Sequence, residues 1–221
     1  MKPLLITIDG PAGAGKTTIS KILAEKLGYR YLDTGALYRA VALKVVENNV
    51  DIGHDAELVQ LCESLDLQFV QENGATHLIC NGRDVTDLIR TEKISMTASK
   101  VSANPIVREA LLDLQRAIGK NKAVVAEGRD MGTVVFADAD VKFFLDALPE
   151  TRAKRRYKEM CPESSSTLEQ VEKQIRQRDQ NDSSRQLAPL KVASDAIRID
   201  STSLSIDQVT EQMLKYIFKR F

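Results

Sequence analysis

The sequence lacks any surplus of charge. Its 31 lysines and arginines balance 31 aspartates and glutamates over 221 residues, so no global field draws it to nucleic acid or an anionic membrane, and any positive site must be local. It is also poor in cysteine. Cys62, Cys80 and Cys161 lie far apart with no close Cys-x-x-Cys pair, which argues against a disulfide framework and a zinc site and fits a reducing compartment. Long apolar runs are missing too. The run Leu4 to Ile8 is too short for a secretory core, and nothing later approaches the roughly 18 apolar residues of a membrane span. A soluble, cytoplasmic chain is the expectation. No internal repeat is visible, and the one polar low-complexity patch, Ser164-Ser165-Ser166-Thr167, reads as a mobile loop.

What the chain has is alternation. Leu4 to Ile8 reads as a strand ending in Asp9-Gly10, and Lys16 to Leu27 carries apolar residues at helical spacing. Tyr29 to Leu32 repeats the pattern, with Asp33 or Thr34 placed to cap a helix through Leu37, Val41 and Val45. The texture then changes. Glu57 to Leu65 reads helical, while Leu67 to Val70 and His77 to Cys80 flank Glu72-Asn73-Gly74, whose Asn-Gly signals a hairpin and hence an insertion. Ile106 to Ile118 reads as a helix, Ala123 to Ala126 and Val141 to Leu145 as buried strands, and a helix starts near Pro149. Ala196 to Ile199 is a last strand before a helix from Ser205, its candidate N-cap, to Phe218. About five core strands in βα alternation predict an α/β fold with a parallel sheet flanked by helices.

The sharpest motif is Gly10-Pro11-Ala12-Gly13-Ala14-Gly15-Lys16-Thr17, a full G-x-x-x-x-G-K-[ST] between a strand and a helix. Glycines let backbone N–H groups converge on phosphate oxygens at a helix N-terminus, Lys16 reaches the β- and γ-phosphates, and the Thr17 hydroxyl can ligate Mg²⁺. ATP is therefore expected on this loop and Thr18, with Mg²⁺ as cofactor. A switch GTPase would need Asn-Lys-x-Asp, and Asn121-Lys122-Ala123-Val124 does not supply it. Arginines gather instead near loop and helix-end signals: Arg39, Arg129, Arg155, Arg156, Arg178 and Arg185. Two anionic phosphate groups would want such a set.

Three segments carry a resemblance: Asp9-Gly10-Pro11-Ala12-Gly13-Ala14-Gly15-Lys16, Asp33-Thr34-Gly35-Ala36-Leu37-Tyr38-Arg39 and Glu127-Gly128-Arg129-Asp130-Met131-Gly132-Thr133. Together with Thr97-Ala98-Ser99, Val107-Arg108-Glu109-Ala110-Leu111 and Arg178-Asp179-Gln180-Asn181-Asp182-Ser183-Ser184-Arg185, they resemble the successive signatures of bacterial cytidylate kinases, P-loop nucleoside-monophosphate kinases, over essentially the whole chain. The resemblance implies a P-loop kinase fold with an inserted α+β monophosphate-binding subdomain and a short lid. In one domain, the core would take about 1–38, 105–150 and 184–221, the insertion about 39–104 and the lid about 151–183. It implies transfer of the γ-phosphate of ATP to CMP or dCMP, with Ser99, Arg108 and Asp130 facing cytosine. Arg39 and Arg129 would hold the CMP phosphate, and Arg178 and Asp182 would approach phosphate and ribose. Asp33 and Arg185 fall in the same matched segments and join the substrate set.

The chemistry of cytosine agrees with that division. Its N4 amino group donates while N3 and O2 accept, so Asp130 can take a hydrogen bond from N4 as Arg108 donates to the ring. Uracil inverts this edge and would leave a charged acceptor unpaired. Glu127 is open between a metal-orienting carboxylate, a partner of the P-loop and a plain structural hydrogen bond. Arg152-Ala153-Lys154-Arg155-Arg156-Tyr157-Lys158 puts five cations in seven residues, with Arg152, Arg155 and Arg156 on one helical face. A solvated basic face is the bland reading. Beside a P-loop, an arginine clamp over ATP is the favoured one, with Arg155 and Arg156 as its contacts and Arg129, Arg155 and Arg178 joining Lys16 in catalysis. Asp179 to Arg185 could equally be a helix C-terminal turn.

No general base is required, since a phosphate acceptor is largely dianionic at neutral pH. His54 and His77, in the insertion, read as surface residues. Two rivals are a P-loop kinase for another small acceptor, such as a different monophosphate or dephospho-coenzyme A, and a non-catalytic nucleotide-dependent regulator or RNA-associated ATPase. Partners are expected to be ATP and CMP or dCMP, without nucleic acid or membrane, on a monomer.

Overall fold

The computed structural model describes residues 2–72, 75–159 and 166–221, so the Asn73-Gly74 turn, Cys161 and half of the serine patch, Ser164 and Ser165, lie outside the described residues. The chain divides into two compact units, Met1–Leu32 with Gly119–Phe221, and Asp33–Ile118. Each has its own core.

The first unit is organised by a five-stranded sheet. Its strands are β1 (Leu5–Asp9), β2 (Arg30–Asp33), then β6 (Val124–Gly128), β7 (Val141–Asp146) and β8 (Ile197–Asp200), in the order β2-β6-β1-β7-β8. The pairs β1–β6, β1–β7 and β7–β8 are parallel. Every residue of β1 and of β6 is buried, as a central strand covered on both faces must be. The covering helices are α1 (Lys16–Leu27) and α8 (Ile206–Arg220), whose Ile19, Leu23, Val209, Met213 and Ile217 pack with Ile6, Ile8, Phe143 and Leu145. Ser205 caps α8, bonded to the backbone N–H of Gln208, whose side chain returns the bond.

Two further helices belong to this unit, α6 (Pro149–Glu159) and α7 (Leu168–Ser184). They meet through Ala153, Val171 and Ile175. The 17-residue α7 extends well N-terminal of the Asp179 turn read from the sequence, and a capping box of Thr167 and Gln170 starts it. After β6 the chain makes one π-helical turn, Met131–Val135.

The second unit contains α2 (Thr34–Glu47), α3 (Asp55–Glu63), the antiparallel β3 (Leu67–Glu72), β4 (Ala75–Cys80) and β5 (Arg83–Asp84), then α4 (Glu92–Val101) and α5 (Pro105–Gly119). β3 and β4 pair from Leu67 opposite Cys80 to Glu72 opposite Ala75. Its core is aliphatic, built on Leu37, Val41, Leu58, Leu78, Val85, Val101 and Val107. Cys62 and Cys80 are free thiols in this unit. His54 and His77 stand at its surface, each beside a carboxylate, Glu57 and Asp84.

Candidate active site

β1 and β6 lead at their carboxyl ends into the P-loop and into Arg129 and Asp130, at the edge where open α/β sheets place ligands. At Gly10 the backbone has φ of 151° and a Cβ there would lie 1.9 Å from the carbonyl oxygen of Leu145, so only glycine lets the loop turn away so close to β7. The loop ends in α1, whose first turn contains no acidic side chain and whose N-terminus no side chain caps. Thr17 and Thr18 are exposed there, and the uncapped helix end leaves backbone N–H groups to an anion.

Lys16 is buried and its Nζ donates to the carbonyl of Pro11 at 2.7 Å. Burial, helped by the nearby charges of Arg129 and Arg178, pulls its pKa down to about 7. The Thr17 hydroxyl donates to Glu127 Oε1 at 2.8 Å, and the Tyr31 hydroxyl makes a short hydrogen bond to the same oxygen. Of the readings open for Glu127, the structure therefore contains the bond to the P-loop. Asp9 receives the backbone N–H groups of Met131 at 2.9 Å and Gly132 at 2.7 Å. Burial outweighs those bonds and raises its carboxyl pKa to about 6.

The loop after β6 holds two buried ion pairs. Arg129 Nε meets Asp182 Oδ2 at 2.8 Å, and Arg185 meets Asp130 Oδ1 at 3.4 Å. The Asp182 carboxyl lies below the ordinary carboxylate range: burial opposes this, but Arg129, Arg178 and Arg185 prevail. The Arg129 guanidinium is held above its ordinary value by Asp182 despite its burial. Lys16, Arg129, Asp130, Arg178, Asp182 and Arg185 thus form one charged network in the first unit.

The basic run on α6 is split among three environments. Arg152 is buried and donates to the carbonyls of Ala147 and Ala12 and to Asp179. Arg155 is held by Ser201, through Oγ at 3.0 Å and the carbonyl at 2.5 Å. Arg156 is exposed and pairs with Glu159 at 3.6 Å.

The remaining sequence-derived residues lie in the second unit. Asp33 caps α2 by accepting from Ala36 N–H at 3.0 Å and binds Arg39 at 2.7 Å, while Arg39 Nε is buried without a hydrogen-bond partner. Ser99 is buried with its Oγ unpartnered. Arg108 donates to the Ser102 carbonyl at 3.1 Å and lies 5.7 Å from the Tyr38 ring centre. Among the described residues no three His, Cys, Asp or Glu side chains cluster to cage a metal.

The family model described as cytidylate kinase matches residues 6–219. The chain belongs to the cytidylate kinase family. It is 48% identical to "Cytidylate kinase 1" of Haemophilus influenzae over 97% of this chain and 93% of that protein. To a cytidylate kinase of Geobacter sp. strain M21 it is 48% identical over 98% and 94%. A crystal structure of an uncharacterized protein from Eubacterium ventriosum shares the fold, with a TM-score of 0.53 at 14% identity covering 99% of both chains.

For this cytidylate kinase family member, sequence reasoning named the charged groups but missed four supports: Tyr31, Asp9, Arg152 and Asp179. Asp9 and Arg152 stood in the motifs and could have been flagged as charges about to be buried. Nothing local in the sequence pairs Tyr31 with Glu127 or Asp179 with Ala12.

Proposed function

We propose that the protein transfers the γ-phosphate of ATP to CMP or dCMP, giving CDP or dCDP and ADP. The observation that carries this reading is the P-loop lysine held within the charge field of Arg129 and Arg178 at the carboxyl edge of the sheet, in a chain whose family match runs from residue 6 to 219. An oxygen of the CMP phosphate attacks the γ-phosphorus in line. The bond from that phosphorus to the β,γ-bridging oxygen breaks, and the electron pair leaves with ADP. The chain's own residues bind and neutralise. The P-loop N–H groups and Gly10 through Thr18 receive ATP, and Lys16 regains its proton as phosphate arrives. Arg129 and Arg178 meet the acceptor phosphate, with Arg39 and Arg185 in the same set, and Asp182 meets the ribose. Asp130, Arg108 and Ser99 read cytosine, and Asp33 orients Arg39.

Ser99 Oγ and Arg39 Nε support these roles, because a buried polar atom without a partner in the protein is what a substrate would satisfy. Thr17 and Glu127 present hard oxygen donors that fit Mg²⁺, which Thr17 would hold together with the phosphates. The bound ion would supply neutralisation of phosphate charge. Arg155 and Arg156 lie in a lid at 151–183 that contacts ATP, and the insertion at 39–104 receives the monophosphate. Among the described residues no helix is long and apolar enough to cross a membrane, and we place the protein in the cytoplasm as a monomer with neither membrane nor nucleic-acid partner. ADP release with Mg·ATP and, in parallel, CMP, dCMP, UMP, AMP, GMP or no acceptor tests the reading. Turnover confined to CMP and dCMP is expected, and equal turnover with UMP would overturn the base-reading roles.

A further inference from the structure

A glycine-rich phosphate loop is useful only if something fixes its crest. Gly10, Gly13 and Gly15 all have positive φ, so the loop has little conformational preference of its own. Both backbone groups of Ala12, at the crest, are held by side chains of opposite charge. Its N–H donates to Asp179 Oδ1 at 3.2 Å and its carbonyl accepts from Arg152 Nη1 at 2.9 Å. The two side chains are themselves paired at 2.6 Å. Arg152 is 4% exposed, and its Nε is tied at 2.8 Å to the carbonyl of Ala147, just past β7. A Cβ built on Gly13 would come within 3.0 Å of the Arg152 carbonyl, so α6 backs the crest directly.

Asp179 sits on α7 next to Arg178, and the same end of that helix reaches the loop after β6. Asp182 pairs with Arg129, and Arg185, just past the helix, pairs with Asp130. One helical end thus joins the donor loop to the residues read above as the acceptor site. We infer that Asp179 and Arg152 are positioning residues that clamp the P-loop crest and tie it to α7, so that filling the acceptor side changes the affinity for the donor nucleotide. The acceptor half of this inference rests on the function proposed above, and the clamp itself does not. If an acceptor phosphate draws Arg129 or Arg178, α7 shifts, and the shift reaches Ala12 through one carboxylate. Coupling between two sites needs such a shared element.

The test is titration of the protein with a fluorescent ADP, with and without CMP, together with KM values for ATP and CMP. Asp179→Asn keeps an acceptor for Ala12 N–H but turns an amide toward Arg152. The double variant Arg152→Met/Asp179→Leu removes both charges of the pair together, so it folds where a single change leaves the buried Arg152 unpaired. In either variant the KM for ATP and the Kd for ADP should rise about tenfold, the size expected for losing one charge-assisted hydrogen bond, while the KM for CMP changes less than about threefold. The effect of CMP on ADP affinity, present in the wild type, should disappear. A folded variant with wild-type ADP affinity overturns the clamp, as does an equal rise in both KM values. A wild type in which CMP leaves ADP affinity unchanged overturns the coupling. If CMP is not an acceptor at all, the function proposed above fails, yet the titration without CMP still decides the clamp: a tenfold loss upholds it and no loss refutes it.

Discussion

The two units differ in how their candidate site residues are held. In the first, the charged groups already have partners: Arg129 with Asp182, Arg185 with Asp130, Thr17 with Glu127, and Asp9 with two backbone N–H groups. In the second, Arg39 is paired with Asp33, yet its Nε and Ser99 Oγ are buried with no hydrogen-bond partner. Pairing charges in advance limits the reorganisation needed when phosphate arrives. Leaving neutral or single polar atoms unpaired costs folding stability but rewards the ligand that satisfies them. The contrast is between charges oriented in advance by their partners and polar atoms that a ligand would satisfy.

The sharpest way to break the first half of the contrast is Lys16→Met. Its turnover should fall by about a thousandfold or more, the scale of losing a charge aimed at the transferred phosphoryl group, with little loss of melting temperature because a desolvated ammonium is removed. Retained kcat would remove Lys16 from the transfer step. Next in size, Asp182→Ala removes the buried carboxylate that pairs with Arg129 and should cost about 3 kcal/mol of stability, read by denaturant unfolding. A loss below 1 kcal/mol (~ the worth of an exposed pair) would show the pair to be solvent-screened. Asp130→Asn should then reduce the preference for CMP over UMP by roughly a hundredfold, read from the ratio of kcat/KM values. An unchanged ratio would take base reading away from Asp130.

Lys16 also gives a pH signature. Its pKa falls from 10.5 to about 7 on folding, so between those values the unfolded chain holds a proton that the folded one has released, and stability rises with pH across that window. Nucleotide phosphates reverse the shift. ADP binding at pH 8 should therefore take up close to one proton (~1, by linkage), measured by calorimetry in buffers of different ionisation enthalpy, and Lys16→Met should take up none. Proton-neutral binding in the wild type would contradict the burial of Lys16. The smallest effect belongs to the second unit. Ser99→Ala should leave stability within about 1 kcal/mol of the wild type and raise the KM for CMP about threefold to tenfold. A marked loss of stability would show that Ser99 already has a partner in the free protein.

Much of this was legible in the amino-acid sequence because it is local. The motif from Gly10 to Thr17 is contiguous, and α1 runs from Lys16 to Leu27 as its periodicity predicts. Strand edges shifted by a residue or two, β1 to Leu5–Asp9 and β6 to Val124–Gly128, because polar Asp9 and Glu127 are buried by partners the sequence does not display. The helix α7 escaped reading in full despite Thr167 and Gln170 at its start. Only Val171, Ile175 and Asp182 of its residues are buried, so its apolar stripe is too thin to announce a helix. Helical spacing put Arg152, Arg155 and Arg156 on one face, but it could not say that Arg152 would end on the Ala12 carbonyl and Arg155 on Ser201. Contacts that span more than a hundred residues, such as Asp9 to Gly132 and Ala12 to Asp179, exist only once the sheet order is set.

The central claim is phosphoryl transfer to a cytidine monophosphate, and its most direct test follows the phosphate itself. Protein incubated with γ-labelled ATP, Mg²⁺ and CMP should place the label in CDP, with little free phosphate when CMP is omitted. Label recovered as inorganic phosphate whether or not CMP is present would contradict the account and mark the chain as a nucleotide hydrolase.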